Sequence, residues 1–262
     1  MTGEPREPLL PDVFGARLKA ALFDLDGVVT HTAAIHARAW KQLFDEFLAG
    51  LDGDPERLSP FRLPEDYLAY VDGKPRYEGV RSFLQSRGID LPWGDSQDSP
   101  DDRTICGLGN RKNRYFNQVM AEQGVEVFPS TIALIRALRT QGIKTACVSS
   151  SKNCRPVLQR AGITDLFDVI FDGRDLEAEN LPGKPHPDAF LRAAERLGVA
   201  PGESAVVEDA VSGVAAGKAG AFRLVIGVDR GAGREALQSA GADVVVADLA
   251  DLDAALAARG SS

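Results

Sequence analysis

Short apolar runs recur along the chain and alternate with longer segments of mixed polarity. The six runs are KAALF (19–23), IKTACV (143–148), DVIF (168–171), SAVVE (204–208), FRLVIG (222–227) and DVVVA (243–247). Each has the length of a buried strand, and the segments around them have the length and spacing of helices, at 131–141, 153–161, 187–198, 211–219 and 233–240. This alternation predicts an α/β fold, in which a Rossmann-like, mostly parallel sheet is covered by helices on both faces.

Residues 32–124 interrupt the alternation, because they contain helical patterns and no convincing strand. Helices are predicted at 33–49, 77–87 and 108–123. In the first of these, four large apolar side chains share one helical face: Trp40, Leu43, Phe44 and Phe47. A polar segment rich in Pro, Gly and Asp predicts a loop over 91–104.

These patterns divide the chain into a core and an insert. We expect an α/β catalytic core formed by 17–31 and 125–262, an inserted all-helical cap domain over 32–124, and a flexible tail over 1–16. Ligands of open parallel sheets bind beyond the carboxyl ends of the strands. An insert that leaves the core at this edge would therefore cover the binding site.

Composition and charge exclude several classes of protein. Of the 262 residues, 44% are hydrophobic and 26% are charged, as in ordinary globular proteins. No apolar run approaches the roughly 18 residues of a membrane helix, and the start of the chain lacks the apolar segment of a signal peptide. The net charge of −8 disfavours nucleic acid and membrane lipid as partners. We therefore expect a cytoplasmic protein, and we expect it to act as a monomer.

Polar side chains cluster in four segments at or near the carboxyl ends of predicted strands. The segments are FDLDGVVT with Asp24 and Asp26, SSSKN with Ser149 and Ser150, GKPHPD with Lys184, and VVEDAVSG with Glu208 and Asp209. Each segment alone is an ordinary loop, but their combination at one sheet edge is specific. Because gathered carboxylates repel one another, they need a cation, and a set of oxygen ligands without His or Cys favours Mg²⁺.

These four segments resemble the four motifs of the haloacid dehalogenase superfamily of phosphotransferases. The resemblance covers residues 18–262, and the helical insert is similar to the small cap of the β-phosphoglucomutase-like subgroup. Within the insert, THTAAIHARAWK (30–41) and RKN (111–113) are close to segments of that subgroup. A dehalogenase needs no second aspartate in the first motif, so Asp26 favours phosphoryl transfer.

The resemblance implies a role for each core residue. Asp24 is expected to be the nucleophile, which accepts a phosphoryl group, and Asp26 the general acid and base. Ser149 and Lys184 are expected to hold the oxygens of the transferring group.

The expected Mg²⁺ ligands are the side chains of Asp24, Glu208 and Asp209 and the backbone carbonyl of Asp26. Three neighbours of Ser149 complete the expected phosphate and substrate contacts: Ser150, Lys152 and Asn153. For Lys152 three positions are expected as alternatives: facing the phosphate, facing the sugar, or facing only solvent.

The cap is expected to supply the remaining substrate contacts. Thr32 and His36 lie one helical turn apart and correspond to a pair that positions Asp26. From the residues alone, the alternative for Thr32 is a helix cap and the alternative for His36 is a packed histidine. Gly73, Arg76 and Lys112 correspond to cap residues that face the substrate, and solvated helix faces are the alternative for the two cations. Arg suits a terminal phosphate, because its planar fork donates two hydrogen bonds.

The substrate-facing loop departs from the subgroup. His31 stands where the subgroup has an acid, Asp72 where it has a basic residue, and Lys74 and Pro75 where it has small and hydroxyl residues. The insert is also longer than is typical. These departures concern the identity of the substrate more than the type of reaction.

The resemblance implies a Mg²⁺-dependent enzyme acting on a phosphorylated sugar. The expected activity is conversion of β-glucose 1-phosphate into glucose 6-phosphate through β-glucose 1,6-bisphosphate and an aspartyl phosphate. One alternative is a sugar-phosphate phosphatase of the same fold. The other is a non-catalytic protein that only binds a phosphorylated ligand.

Overall fold

All six predicted apolar runs form strands of a single sheet. The computed structural model describes residues 18–252, so the predicted tail lies outside the described residues. The strands are β1 (Ala20–Phe23), β2 (Lys144–Val148), β3 (Val169–Phe171), β4 (Ser204–Glu208), β5 (Leu224–Val228) and β6 (Val244–Val246). Their order is β3-β2-β1-β4-β5-β6, and every neighbouring pair is parallel. The predicted mostly parallel sheet is thus parallel throughout the described chain.

Helices cover both faces of the sheet, as the pattern predicts. Successive side chains of a strand point to opposite faces, so Ala21 and Phe23 join one buried cluster and Ala20 and Leu22 the other. The core helices are α4 (Pro129–Thr140), α5 (Cys154–Arg160), α6 (Gly173–Ala178), α7 (Asp188–Leu197), α8 (Val211–Ala219) and α9 (Arg234–Ser239). Five of them lie within two residues of their predicted bounds, and α6 was not predicted.

The insert is helical, with an aromatic core of its own. Its helices are α1 (Ala33–Ala49), α2 (Arg76–Ser86) and α3 (Ile105–Gln123), and one π-helical turn covers Tyr67–Val71. The four predicted face residues of α1 are all buried in this core. Helix α3 starts three residues earlier than predicted, because the Thr104 side chain caps it by accepting a hydrogen bond from the Gly107 amide (2.9 Å). Over residues 18–252, no helix combines the length and apolar character that a membrane crossing requires.

The helical insert is closed onto the sheet edge. The Ser150 hydroxyl donates to the Gly73 carbonyl (2.8 Å), and the Ser212 hydroxyl donates to the Asp72 carbonyl (3.2 Å). Beside these bonds, Pro75 packs so tightly on Gly183 that a Cβ atom there would lie 2.4 Å from the proline Cγ. The loop 72–76, which we call the cap loop, is therefore held against the core at several points.

Candidate active site

The register of the sheet brings three of the predicted motifs together. Phe23 at the end of β1 pairs with Cys147 on β2 and with Val207 on β4. The next residues, Asp24 and Glu208, therefore emerge side by side, with Ser149 on the other flank. Lys184 reaches the same point from the loop that follows α6. This edge is where an open parallel sheet binds its ligands.

Lys184 is the cation at the centre of this group. Its Nζ atom lies 2.5 Å from Asp24 Oδ1 and also donates to Glu208 Oε1. Burial alone would lower the pKa of Lys184, but the two carboxylates outweigh it and raise that pKa, so the ammonium stays charged. The second oxygen of Glu208 accepts a hydrogen bond from the Ala210 amide (2.9 Å). Glu208 is thereby fixed in place, with none of its surface exposed.

Three carboxylates gather beside this lysine. One oxygen from each of Asp24, Glu208 and Asp209 lies within 4.8 Å of the others. Burial raises the pKa of Asp24 and of Asp209 well above the usual value, and the neighbouring carboxylates raise both further. One ammonium does not neutralise three carboxylates, so the oxygen-only donor set fits a hard divalent cation such as Mg²⁺. Gly27, with φ of +93°, leaves room for this site, since a Cβ atom there would lie 1.8 Å from Asp209 Oδ2.

Asp26 is held by the first turn of the insert. The Thr32 hydroxyl donates to Asp26 Oδ1 and makes no side-chain bond to the end of α1. Thr32 is the N-cap residue of α1, as the alternative expects, but its side chain holds Asp26 and not the end of the helix. The Nε2 atom of His36 lies 3.3 Å from the same Asp26 oxygen. On the far side of the ring, Lys112 Nζ lies 2.5 Å from His36 Nδ1.

These contacts set the protonation of the histidine. Burial and the nearby Lys112 charge lower the pKa of His36, so the ring is neutral at pH 7. An ammonium at Lys112 donates to Nδ1, which places the ring proton on Nε2, the atom 3.3 Å from Asp26 Oδ1. Burial alone would raise the pKa of Asp26, but the histidine contact and the Thr32 bond lower it. Asp26 is thus kept ionised within a short polar chain that runs back into the cap.

The polar residues that follow β2 lie beside the cap, and each has a different partner. Ser149 is buried, and its Oγ accepts from the Ser151 amide (3.1 Å). Ser150 is engaged with the cap loop. Lys152 pairs with Glu177 (2.6 Å), and its Nζ lies 5.1 Å from the Tyr77 ring centroid. Lys152 therefore borders the site while being tied to a carboxylate of the core.

An asparagine that was not predicted joins Arg76 to the core. Asn113 Oδ1 accepts from Arg76 Nη2 (2.9 Å) and from Asn153 Nδ2 (2.7 Å). Arg76 lies in the cap and Asn153 in the core, so this amide oxygen bridges the two. The RKN segment pointed to its lysine, but a hydrogen bond to a residue 40 positions away leaves no local pattern.

Cap and core together line a cavity of about 60 Å³. It is lined by every predicted site residue except Thr32, which reaches it only through Asp26: Asp24, Asp26, His36, Gly73, Arg76, Lys112, Ser149, Ser150, Lys152, Asn153, Lys184, Glu208 and Asp209. Trp40, Tyr67 and Asp72 line it as well. Burial and the nearby Glu208 raise the pKa of Asp72 to about 7. Tyr67 was missed, because it lies in the π-helical turn, where no helical pattern was recognised.

Comparisons with known proteins agree with this geometry. A model of the haloacid dehalogenase-like hydrolases matches residues 18–220. A Mycobacterium tuberculosis protein named beta-phosphoglucomutase is 48% identical over 90% of this chain and 92% of its own. Hexitol phosphatase A of Escherichia coli is 30% identical over 80% of this chain and 82% of its own. The crystal structure of beta-phosphoglucomutase from Clostridium difficile has a TM-score of 0.69 and 28% identity, and covers 88% of this chain and 92% of that chain. The chain belongs to the haloacid dehalogenase-like hydrolases and is an enzyme of that family.

Proposed function

We propose that this enzyme is a Mg²⁺-dependent β-phosphoglucomutase. It converts β-glucose 1-phosphate into glucose 6-phosphate through β-glucose 1,6-bisphosphate. The proposal rests on one observation. The Asp24 and Asp26 pair lines the same cavity as the cap residues His36, Arg76 and Lys112. The mutase of M. tuberculosis, 48% identical, supports the same reaction.

The cycle begins with a phosphoryl group on a carboxylate oxygen of Asp24. The 6-hydroxyl of the sugar attacks the phosphorus, Asp26 takes the hydroxyl proton, and the bond to Asp24 breaks. The resulting bisphosphate turns round and presents its 1-phosphoryl group. Asp24 then attacks that phosphorus, Asp26 returns the proton to the departing C1 oxygen, and glucose 6-phosphate leaves with Asp24 phosphorylated again. The lowered pKa of Asp26 suits the first step, which needs a carboxylate.

Core residues hold the reacting group. Lys184 and Ser149 neutralise or donate to oxygens of the phosphoryl group, where charge is spread in the transition state. The side chains of Asp24, Glu208 and Asp209 and the carbonyl of Asp26 would hold Mg²⁺. When bound, the ion supplies positive charge that offsets these carboxylates and polarises the phosphoryl oxygen.

The cap positions the other end of the substrate. Arg76 is the candidate for the distal phosphate, since it lines the cavity and its bond to Asn113 orients its fork. Lys112 and His36 keep Asp26 oriented when the cap is closed. Gly73, Ser150 and Asn153 would contact the sugar or its phosphate. Cap and core of one chain line the cavity, and we propose that the enzyme works as a monomer.

A sugar-phosphate phosphatase is the second candidate. It is favoured by the 30% identity to Hexitol phosphatase A and by the cap loop, where Asp72 lines the cavity. In that reading water takes the phosphoryl group from Asp24, and the distal cation is dispensable.

A coupled assay tests the proposal directly. The protein is given pure β-glucose 1-phosphate or pure α-glucose 1-phosphate, primed with a trace of bisphosphate and Mg²⁺, and glucose 6-phosphate is measured. The proposal requires product from the β-anomer alone. Phosphate release from sugar phosphates without any glucose 6-phosphate would establish the phosphatase instead. Absence of both activities would leave a phospho-ligand binding protein.

A further inference from the structure

A π-helical turn in the cap aligns a tyrosine with an aspartate. The turn covers Tyr67–Val71, and the Asp72 amide donates to the Tyr67 carbonyl (3.0 Å), five residues earlier. Residues five positions apart therefore lie on the same side of this turn, whereas an α-helix aligns residues three or four apart. The Tyr67 hydroxyl accordingly donates to the Asp72 carboxyl group. Burial raises the pKa of Tyr67 well above its usual value, so this hydroxyl keeps its proton.

Both of these residues line the catalytic cavity. Tyr67 and Asp72 do so together with Asp24 and Arg76, which the proposed function assigns to the two ends of the substrate. The backbone of Asp72 is held on both sides, because its amide is bonded within the turn and its carbonyl accepts from the Ser212 hydroxyl (3.2 Å). The side chain thus starts from a fixed backbone and a bonded carboxyl group, so it loses little freedom when a ligand binds.

The carboxyl group of Asp72 is not paired with a cation. In residues 18–252 it forms no ion pair, and it does not belong to the group of three carboxylates that could hold a metal. The basic residue that the subgroup has at this position can contact a phosphate or a hydroxyl, whereas a carboxylate repels a phosphate and only accepts hydrogen bonds. A sugar hydroxyl donates such a bond, which also favours the ionised form of the carboxyl group.

The proposed reaction presents its sugar to Asp24 in two opposite orientations. The half-turn that exchanges C1 and C5 of a glucopyranose, and with them the two arms that carry phosphate, has its axis through C3 and the ring oxygen. This rotation interchanges the 2-hydroxyl and the 4-hydroxyl and leaves the 3-hydroxyl near its original place. A single fixed acceptor therefore meets the same hydroxyl in both orientations only if it binds the 3-hydroxyl.

We propose that Asp72 recognises the 3-hydroxyl of the sugar in both half-reactions and that Tyr67 positions its carboxyl group. The inference rests on the proposed function and names the residue that selects its substrate. The catalytic cavity accepts a sugar phosphate with a free equatorial 3-hydroxyl, as in β-glucose 1-phosphate. A sugar without that hydroxyl leaves a half-buried acceptor unpaired, so it binds more weakly in the ground state and in the transition state alike.

Substrates with and without this hydroxyl test the proposal. The kcat/KM value is measured for β-glucose 1-phosphate and for its 3-deoxy analogue, with Mg²⁺ present, acetyl phosphate as primer and the products separated by anion-exchange chromatography. The parent should use the 3-deoxy analogue roughly tenfold to a hundredfold less efficiently, which corresponds to one hydrogen bond to a charged group. Asp72→Ala should bring this ratio close to one, and losses of stability or of metal affinity cancel in the ratio. Equal use of both substrates by the parent overturns the proposal, as does a parental ratio in Asp72→Ala.

Further variants and analogues show whether the effect belongs to this contact. Tyr67→Phe removes only the hydroxyl that holds the carboxyl group, and it should lower the ratio severalfold; an unchanged ratio excludes a positioning role for Tyr67. Discrimination against the 2-deoxy and 4-deoxy analogues should persist in Asp72→Ala, and a loss confined to either of them overturns the assignment. Asp90→Ala, at an exposed acid of the cap outside the cavity, is the matched control and should keep the parental ratio. A loss of discrimination there equal to that of Asp72→Ala overturns a local role for Asp72.

A binding measurement separates this proposal from that of the mutase activity. Calorimetry compares the affinities of glucose 6-phosphate and 3-deoxyglucose 6-phosphate for the Asp24→Asn protein, with and without Asp72→Ala. Weaker binding of the 3-deoxy sugar, and loss of this difference in the double variant, support the role of Asp72 even if the enzyme forms no glucose 6-phosphate from β-glucose 1-phosphate. Equal affinities for the two sugars in the Asp24→Asn protein overturn that role even where mutase activity is present.

Discussion

The core and the cap each bury carboxylates, and they treat them in opposite ways. In the core, Asp24, Glu208 and Asp209 crowd around the single ammonium of Lys184. In the cap, Asp66 is alone and 1% exposed. It accepts hydrogen bonds from the side chains of Arg62 and Arg87, each 2.9 Å long, and from the Arg62 amide, also 2.9 Å.

The directions of the pKa shifts express this difference. Burial raises the pKa of Asp24 and Asp209, because too few positive charges oppose it. Burial also opposes ionisation of Asp66, but the two arginines overcome it and lower the pKa. The ionised carboxylate of Asp66 is thus stabilised by residues of the cap alone. The core carboxylates share one buried ammonium, and such a shortage of compensating charge is typical of a functional site.

Asp24→Asn gives the largest expected effect on activity. An amide oxygen does not form the acyl phosphate, so turnover should fall more than about 1000-fold. The Asn variant keeps the shape of the side chain, and its circular dichroism and melting curve serve as controls for folding. More than a few per cent of parental turnover in a clean preparation would exclude Asp24 as the nucleophile.

Removal of the metal should be nearly as severe. Excess chelator should abolish turnover, and Mg²⁺ should restore it and raise the melting temperature, because a ligand that binds only the folded state stabilises it. Asp209→Ala should raise the Mg²⁺ concentration for half-maximal activity by at least about 10- to 100-fold, since loss of even an outer partner of a metal ligand costs that much. Asp165→Ala, a surface acid of the same chain, is the control. Full activity in excess chelator contradicts the proposed site.

Arg76→Ala should separate mutase from hydrolase chemistry. Loss of a charge-assisted contact to the distal phosphate costs about 1.5–3 kcal/mol, so bisphosphate affinity and mutase turnover should fall roughly tenfold to over a hundredfold. Hydrolysis of acetyl phosphate, which has no distal phosphate, should fall far less. Arg38→Ala, at an exposed arginine of α1, is the control. A parallel loss of both activities would make Arg76 a structural residue.

Asp66→Asn should instead affect stability. Removing one partner of a buried ion pair costs about 3–5 kcal/mol, measured by denaturant unfolding at pH 7. Because the folded pKa is lowered, the ionised carboxylate stabilises the fold above its unfolded pKa of about 3.9. That stabilisation is lost as pH falls through the folded pKa, so parent and variant should converge in acid. A constant difference between pH 7 and pH 3 would contradict the electrostatic account.

The smallest expected effects are those of replacing the two arginines around Asp66, and their free energies of unfolding show which of the two ion pairs matters. The Arg62 side chain is 65% exposed, while that of Arg87 is 11% exposed. Exposed pairs contribute about 0–1 kcal/mol, so Arg62→Ala should destabilise by less than about 1 kcal/mol and Arg87→Ala by several times as much. Equal free energies of unfolding for the two variants would refute this assignment.

The elements and motifs with strong local signals were predicted from the sequence. The apolar runs became strands, and the buried face of α1 followed its helical period. The short helix α6 was not predicted, because it has only 6 residues and little apolar periodicity, and its capping box uses Asp175 where Glu or Gln is usual. The turn at Tyr67–Val71 is π-helical and follows no common period.

Features made by distant residues left no sequence signal. Asp66 depends on Arg87, 21 positions away. The bridge through Asn113 and the tie between Lys152 and Glu177 likewise join separate elements. The contacts of Lys152 were therefore left undecided by the sequence. The grouping of Asp24, Asp26 and Glu208 followed from the positions where their strands end.

Trapping the covalent intermediate tests the central claim most directly. The enzyme is incubated with a phosphoryl donor such as acetyl phosphate or β-glucose 1,6-bisphosphate, quenched, and treated with borohydride, which reduces an aspartyl phosphate to homoserine. Peptide mass spectrometry then locates the converted residue. The account predicts homoserine at position 24 and at no other aspartate. Conversion at another residue, or none while turnover proceeds, would contradict it.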